Sequence, residues 1–179
     1  MSRAAPLLAA ALAAAALLAG CSGGEDLRLG EEIHGFILGE KFEDFERRLR
    51  HRTEWAPAPA PRGIPGGETW TVSRMPDRER HIEKARLTFV EGRLAEIVLY
   101  ERNPGTGRLR SLKKELETRY GTEASSPGGD TEMAYKTYWI RGPGMSVTIR
   151  RITKKPEDEL YVQYQHDELF ERLGLGERM

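Results

Sequence analysis

Cysteine occurs once in the 179 residues, at Cys21, so no intramolecular disulfide can staple this chain. Net charge is absent too, since 28 basic residues balance 28 acidic ones. A balanced chain offers no clustered basic surface, which removes nucleic acid from the expected partners. The four histidines, His34, His51, His81 and His166, form no i, i+4 pair and have no cysteine beside them. That spacing gives no metal-ligand pattern, and neither metal nor cofactor is expected. There is no GxSxG, no P-loop and no GxGxxG, and Gly142-Pro143-Gly144 reads as a turn because proline withholds an amide that phosphate would need. The chain is therefore read as non-enzymatic. A hydrolase would require a serine, a histidine and a carboxylate to meet in space without any local motif.

Long apolar runs are lacking everywhere except at the start. Residues 1–20 carry a single charge, Arg3, and then an apolar stretch from Ala4 to Gly20. The stretch falls short of the roughly 20 residues a helix needs to cross a bilayer core. A basic start, an apolar centre and small residues at the end read as a signal peptide. Its last positions, Leu18-Ala19-Gly20-Cys21, resemble the lipobox of bacterial lipoprotein precursors. The resemblance implies cleavage before Cys21, a diacylglycerol thioether on that cysteine and usually a third, amide-linked acyl chain. Several acyl chains, at about 0.8 kcal/mol per buried methylene, hold a protein on a membrane almost permanently. Ser22 follows in place of the aspartate that keeps many lipoproteins in the inner membrane, which implies the outer membrane facing the periplasm. An unacylated cysteine behind an ordinary secretory signal and an uncleaved anchor are the other readings.

Removing the first 20 of 179 residues leaves 159. The expected organisation is a signal peptide over 1–20, a flexible tether over 21–32 and one domain over 33–179. About 140 folded residues suffice for a single core. Phe42, Phe45 and Leu49 share one face of a helix over Glu40–Arg50. Pro57, Pro59, Pro61 and Pro65 then mark a loop or semi-rigid linker, since proline removes ladder donors. Strands are expected over Glu68–Ser73, Lys84–Val90 and Leu94–Glu101, the last two forming a hairpin about Glu91-Gly92-Arg93 with Ala95, Ile97 and Leu99 on one face. A second helix runs from about Arg108 to Tyr120, closed by Gly121. Three strands follow near 133–140, 145–153 and 160–166, then a short helix over Asp167–Leu173. The fold class is α+β, an antiparallel sheet of about six strands with two amphipathic helices on one face.

This order repeats helix and three strands, with Trp70 and Trp139 at comparable places, and suggests an internal duplication. With the anchor and the phrase Phe36-Ile37-Leu38-Gly39 before a helix, the layout is similar to small outer-membrane lipoproteins of the SmpA/OmlA type and to β-lactamase-inhibitor-protein-like domains. In those families a helical pair precedes the sheet, whereas here the second helix opens only at Arg108. The resemblance implies a role in outer-membrane assembly or in holding a partner protein. Alternation on the last two strands puts Met145, Val147 and Ile149, with Leu160, Val162 and Tyr164, on a packed face. Thr148, Arg150, Tyr161 and Gln163 fall on the opposite, wet face and are the candidate partner-binding residues. A second reading is a small-ligand carrier with Trp70, Tyr138 and Trp139 lining a pocket between helices and sheet.

Overall fold

A computed structural model describes residues 27–52, 55–61, 63–73, 81–101, 104–105, 107–126, 135–153 and 158–174. The signal peptide and Cys21 lie outside them. Two strands of two residues each, β1 (Glu32–Ile33) and β2 (Phe36–Ile37), form a small hairpin apart from the main sheet. Its turn residues His34 and Gly35 both have positive φ, 49° and 89°, as a type I′ turn requires. Helix α1 (Phe42–Leu49) follows, then strands β3 (Ala56–Pro59), β4 (Gly67–Ser73), β5 (Ile82–Val90) and β6 (Arg93–Glu101). Helix α2 (Arg108–Tyr120) leads into β7 (Tyr135–Gly142), β8 (Met145–Ile152) and β9 (Glu159–His166), and α3 (Asp167–Arg172) ends the described chain.

Among the described residues the fold is mixed α+β, with a main sheet of seven strands where about six were expected and three helices where two on one face were expected. The strands run in the order β3-β4-β5-β6-β9-β8-β7, every neighbouring pair antiparallel. Two meanders thus meet along a seam between their last strands, β6 and β9. Helices α1, through Phe45, and α2, through Leu112 and Leu116, join one core cluster with Leu87, Ile97, Leu99, Val147, Ile149 and Val162. Both helices therefore cover the same face of the sheet. Gly121 ends α2 in the left-handed region at φ 65°, its amide donating to Glu117 O. The Glu91-Gly92 turn, φ 51° and 71°, docks on the start of α1, where the Phe42 amide donates to Gly92 O at 2.8 Å.

Three sequence expectations are corrected. The proline-rich segment contains an edge strand, not only a linker. The Ala60 amide donates to Thr69 O, and the register pairs Ala58 with Thr71 and Ala56 with Ser73. Parity then turns the alanine amides inward and Pro57 and Pro59 outward, where the missing donors cost nothing. The folded body also begins earlier than residue 33. Leu27 is 6 % exposed, the Leu29 amide donates to Leu38 O, and His166 Nε2 lies 2.7 Å from Leu27 O. Finally, Ala95 leaves the face of Ile97 and Leu99. A register shift pairs Thr88 with Glu96 but Phe89 with Leu94, and the extra residue, Ala95, joins a second cluster with Val90, Leu169 and Phe170. Helix α3 covers that end of the second face.

Candidate binding face

Residues opposite one another across the ladder share a face. On the face away from α1 and α2, one row runs Thr71–Arg86–Val98–Gln163–Thr148–Trp139. The next runs Ser73–Lys84–Tyr100–Tyr161–Arg150–Thr137. Thr148 pairs with Gln163 and Arg150 with Tyr161, so the four predicted residues form one block on the adjacent strands β8 and β9. Arg150 Nη1 donates to Tyr161 Oη at 3.2 Å. Tyr161 packs on Tyr100 with ring centroids 5.8 Å apart, and Lys84 Nζ sits 4.7 Å from the Tyr100 centroid. Burial raises the Tyr100 phenol above its ordinary pKa, with Arg86 opposing that shift and Tyr161, Glu96 and Glu159 adding to it.

The face is polar, but it is not wet throughout. Thr148 is only 9 % exposed, and Glu96 in the neighbouring row is 1 % exposed. Burying a carboxylate is costly unless its oxygens are satisfied. Thr88 Oγ1 donates to Glu96 Oε2 at 2.9 Å, Gln163 Nε2 donates to Oε1 at 2.6 Å, and Arg86 Nη2 lies 3.6 Å from Oε2. Glu96 therefore holds Gln163 and Arg86 from below. Alternation with Ile97 and Leu99 puts Glu96 on this face beside Val98 and Tyr100; what alternation does not show is its burial, which depends on Thr88 and Gln163 from neighbouring strands. A polar residue amid the apolar run Leu94–Leu99 was the one available signal.

The aromatic residues proposed to line a carrier pocket do not meet. Trp70 and Tyr138 lie on the helix side, with Trp70 stacked on Phe42 at 5.6 Å and Tyr138 6 % exposed in the core. Trp139 pairs with Thr148 on the opposite face. The two tryptophans are also out of step as repeats, since the row of Trp70 runs through Leu87, Ile97, Tyr164 and Val147 to Ile140. One residue of offset moves a side chain to the other face.

His166 is 3 % exposed, and since a carbonyl only accepts, its Nε2 carries the proton donated to Leu27 O. Asp167 makes no side-chain cap for α3; its carboxylate instead accepts from Ser146 Oγ and from Arg141 Nη1. His34 and His81, far apart in sequence, bring their rings to 5.9 Å. Among the described residues, no group of three or more His, Cys, Asp or Glu side chains is placed to hold a metal ion, and no helix is long and apolar enough to cross a membrane.

Compared with models of protein families, with curated proteins and with solved structures, the chain matches none.

Proposed function

We propose that this chain is a lipoprotein, acylated at Cys21 and held on the periplasmic side of the outer membrane, whose sheet face opposite α1 and α2 binds a protein partner without catalysis. The ground for the anchor is the lipobox-like Leu18-Ala19-Gly20-Cys21 behind its apolar run. The observation that carries the binding role is the contiguous block of Thr148, Arg150, Tyr161 and Gln163 on neighbouring strands, on the face opposite the one that α1 and α2 pack against. Tyrosine and arginine are enriched at protein interfaces and among the residues that carry most of their binding energy. The mirrored meanders, each preceded by a helix, favour a helix-plus-three-strand duplication, with β3 and α3 as additions. The anchor motif and the phrase Phe36-Ile37-Leu38-Gly39 before α1 support the likeness to SmpA/OmlA-type lipoproteins and, with it, a role in assembling or maintaining the outer membrane, while α2, opening only at Arg108, departs from their layout.

Two measurements test the reading. Mass spectrometry of the membrane-extracted protein should find an acylated N-terminus at Cys21, absent from Cys21→Ala; a full-length precursor or an unmodified Cys21 would end the anchor proposal. Crosslinking in intact cells should give a discrete envelope partner that Arg150→Ala with Tyr161→Ala abolishes while thermal unfolding stays unchanged. Undiminished crosslinking would end the site assignment.

A further inference from the structure

We infer that His34 and His81 form a two-imidazole site for an exchangeable divalent transition-metal ion, zinc or copper. The two residues come from separate elements, His34 from the β1–β2 turn and His81 from the position just before β5. Their ring centroids are 5.9 Å apart and their planes 68° from parallel. An ion about 2.0–2.1 Å from one nitrogen of each ring stands about 3.2 Å from both centroids, so rings that share one lie about 5–6 Å apart. His81 is exposed and His34 half-buried, and the broad terminal torsion of histidine lets a nitrogen of each ring turn to a common point. A metal takes one nitrogen from each imidazole and leaves the other to a hydrogen bond, so the further contact that His34 makes is compatible with the site.

Turn chemistry alone does not account for an imidazole at residue 34. His34 and Gly35 hold the two positive-φ places of a type I′ turn, where Asn-Gly is the favoured pair. Imidazole suits zinc and copper, whereas magnesium and calcium take oxygen ligands. Two protein ligands are fewer than the three or four of catalytic and structural zinc sites, so water completes the coordination and the ion exchanges readily. The Arg52 guanidinium, whose Nη1 lies 2.9 Å from where a Cβ of Gly35 would stand, disfavours a second cation nearby and acts in the same direction. A bound ion ties the small β1–β2 hairpin to the main sheet at the start of β5, in addition to the core contacts of Ile33 and Phe36.

The test is calorimetric titration of the full chain carrying Cys21→Ala, which removes the thiol as a competing ligand. The probes are zinc chloride and copper chloride, with magnesium chloride and calcium chloride for comparison. Uptake of one zinc or copper ion per chain with a micromolar dissociation constant is expected, with none of magnesium or calcium. His34→Asn and His81→Gln should each weaken binding roughly tenfold or more by removing the intramolecular second contact. His51→Gln, outside the pair, should leave it unchanged. Zinc should raise the melting temperature of the chain with both histidines and not that of the two variants. Since His34→Asn supplies the residue the turn favours, its metal-free melting temperature should not fall; if it does, His81→Gln alone decides. Undiminished binding by His34→Asn or by His81→Gln, an equal loss in His51→Gln, or no uptake of zinc or copper at all reduces the pair to a ring contact and overturns the site. Magnesium or calcium held as tightly as zinc overturns it too, since carboxylates would then be the ligands.

Discussion

At the scale of single residues, Gly39 shows why the chain before α1 has its particular sequence. Its φ is +79°, and a Cβ built there would stand 1.8 Å from Leu27 O, so both backbone conformation and space demand glycine. Gly92, at φ +71°, shares the conformation but faces nothing within 4 Å. Gly92→Ala should therefore cost about 1 kcal/mol, the left-handed penalty alone. Gly39→Ala should cost about 3 kcal/mol or more, because the segment from Leu27 must also move. Urea titration of both variants measures the difference, and equal costs would mean that Leu27 contributes nothing to the fold. Glu96 makes the complementary case for polar groups. Glu96→Ala deprives the donors on Thr88 and Gln163 of their acceptor in a buried place, at an expected cost of about 1–3 kcal/mol.

Among the elements, what could be read from sequence is what local chemistry decides. Helix α2 announces itself through Leu112 and Leu116 and its closing Gly121, and the β5–β6 hairpin through Glu91-Gly92, because each signal sits inside its own element. The block of Thr148, Arg150, Tyr161 and Gln163 was legible for the same reason, strand alternation being a two-residue rule. Strand β3 was not, since Pro57 and Pro59 are acceptable only once β4 fixes which side faces outward. Trp139 and Ala95 were misplaced by one residue of register, which alternation alone cannot supply. The prolines have a further consequence. They strip donors from the outer edge of β3, a common defence against edge-to-edge pairing. Pro57→Ala with Pro59→Ala should restore those donors and give concentration-dependent association in sedimentation velocity; an unchanged mass distribution would show that the edge is protected by something else.

For the molecule as a whole, stability should fall in alkali and depend on the chain before β1. Tyr164 is 3 % exposed in the core, and burial pushes its phenol well above the ordinary value of 10. Above pH 10 the unfolded chain releases that proton while the folded chain keeps it, so the folded state binds more protons and stability declines as pH rises. The decline is about 1.4 kcal/mol per pH unit for this one group. Tyr164→Phe should flatten the fall in melting temperature between pH 10 and 11 to a measurable degree, and a parallel decline would place its cause in other groups. At the other end of the chain, Leu27 is buried beside Val90 and Leu169, its carbonyl receives His166, and Leu29 bonds to Leu38. These contacts join the N-terminal segment to β9, α3 and the β5–β6 turn, tying both meanders together beyond their common seam. A chain beginning at Ser22 should thus unfold like the mature protein. One beginning at Ile33 loses the buried Leu27, the half-buried Leu29, the two hydrogen bonds just named, the Tyr120 Oη–Glu31 hydrogen bond at 3.1 Å and the Arg119–Glu31 ion pair, an expected cost of about 3–5 kcal/mol or more and a lowered denaturation midpoint. Equal midpoints would mean that the segment rests on the domain without holding it, and would make the tether twelve residues long instead of six, as the sequence alone suggested.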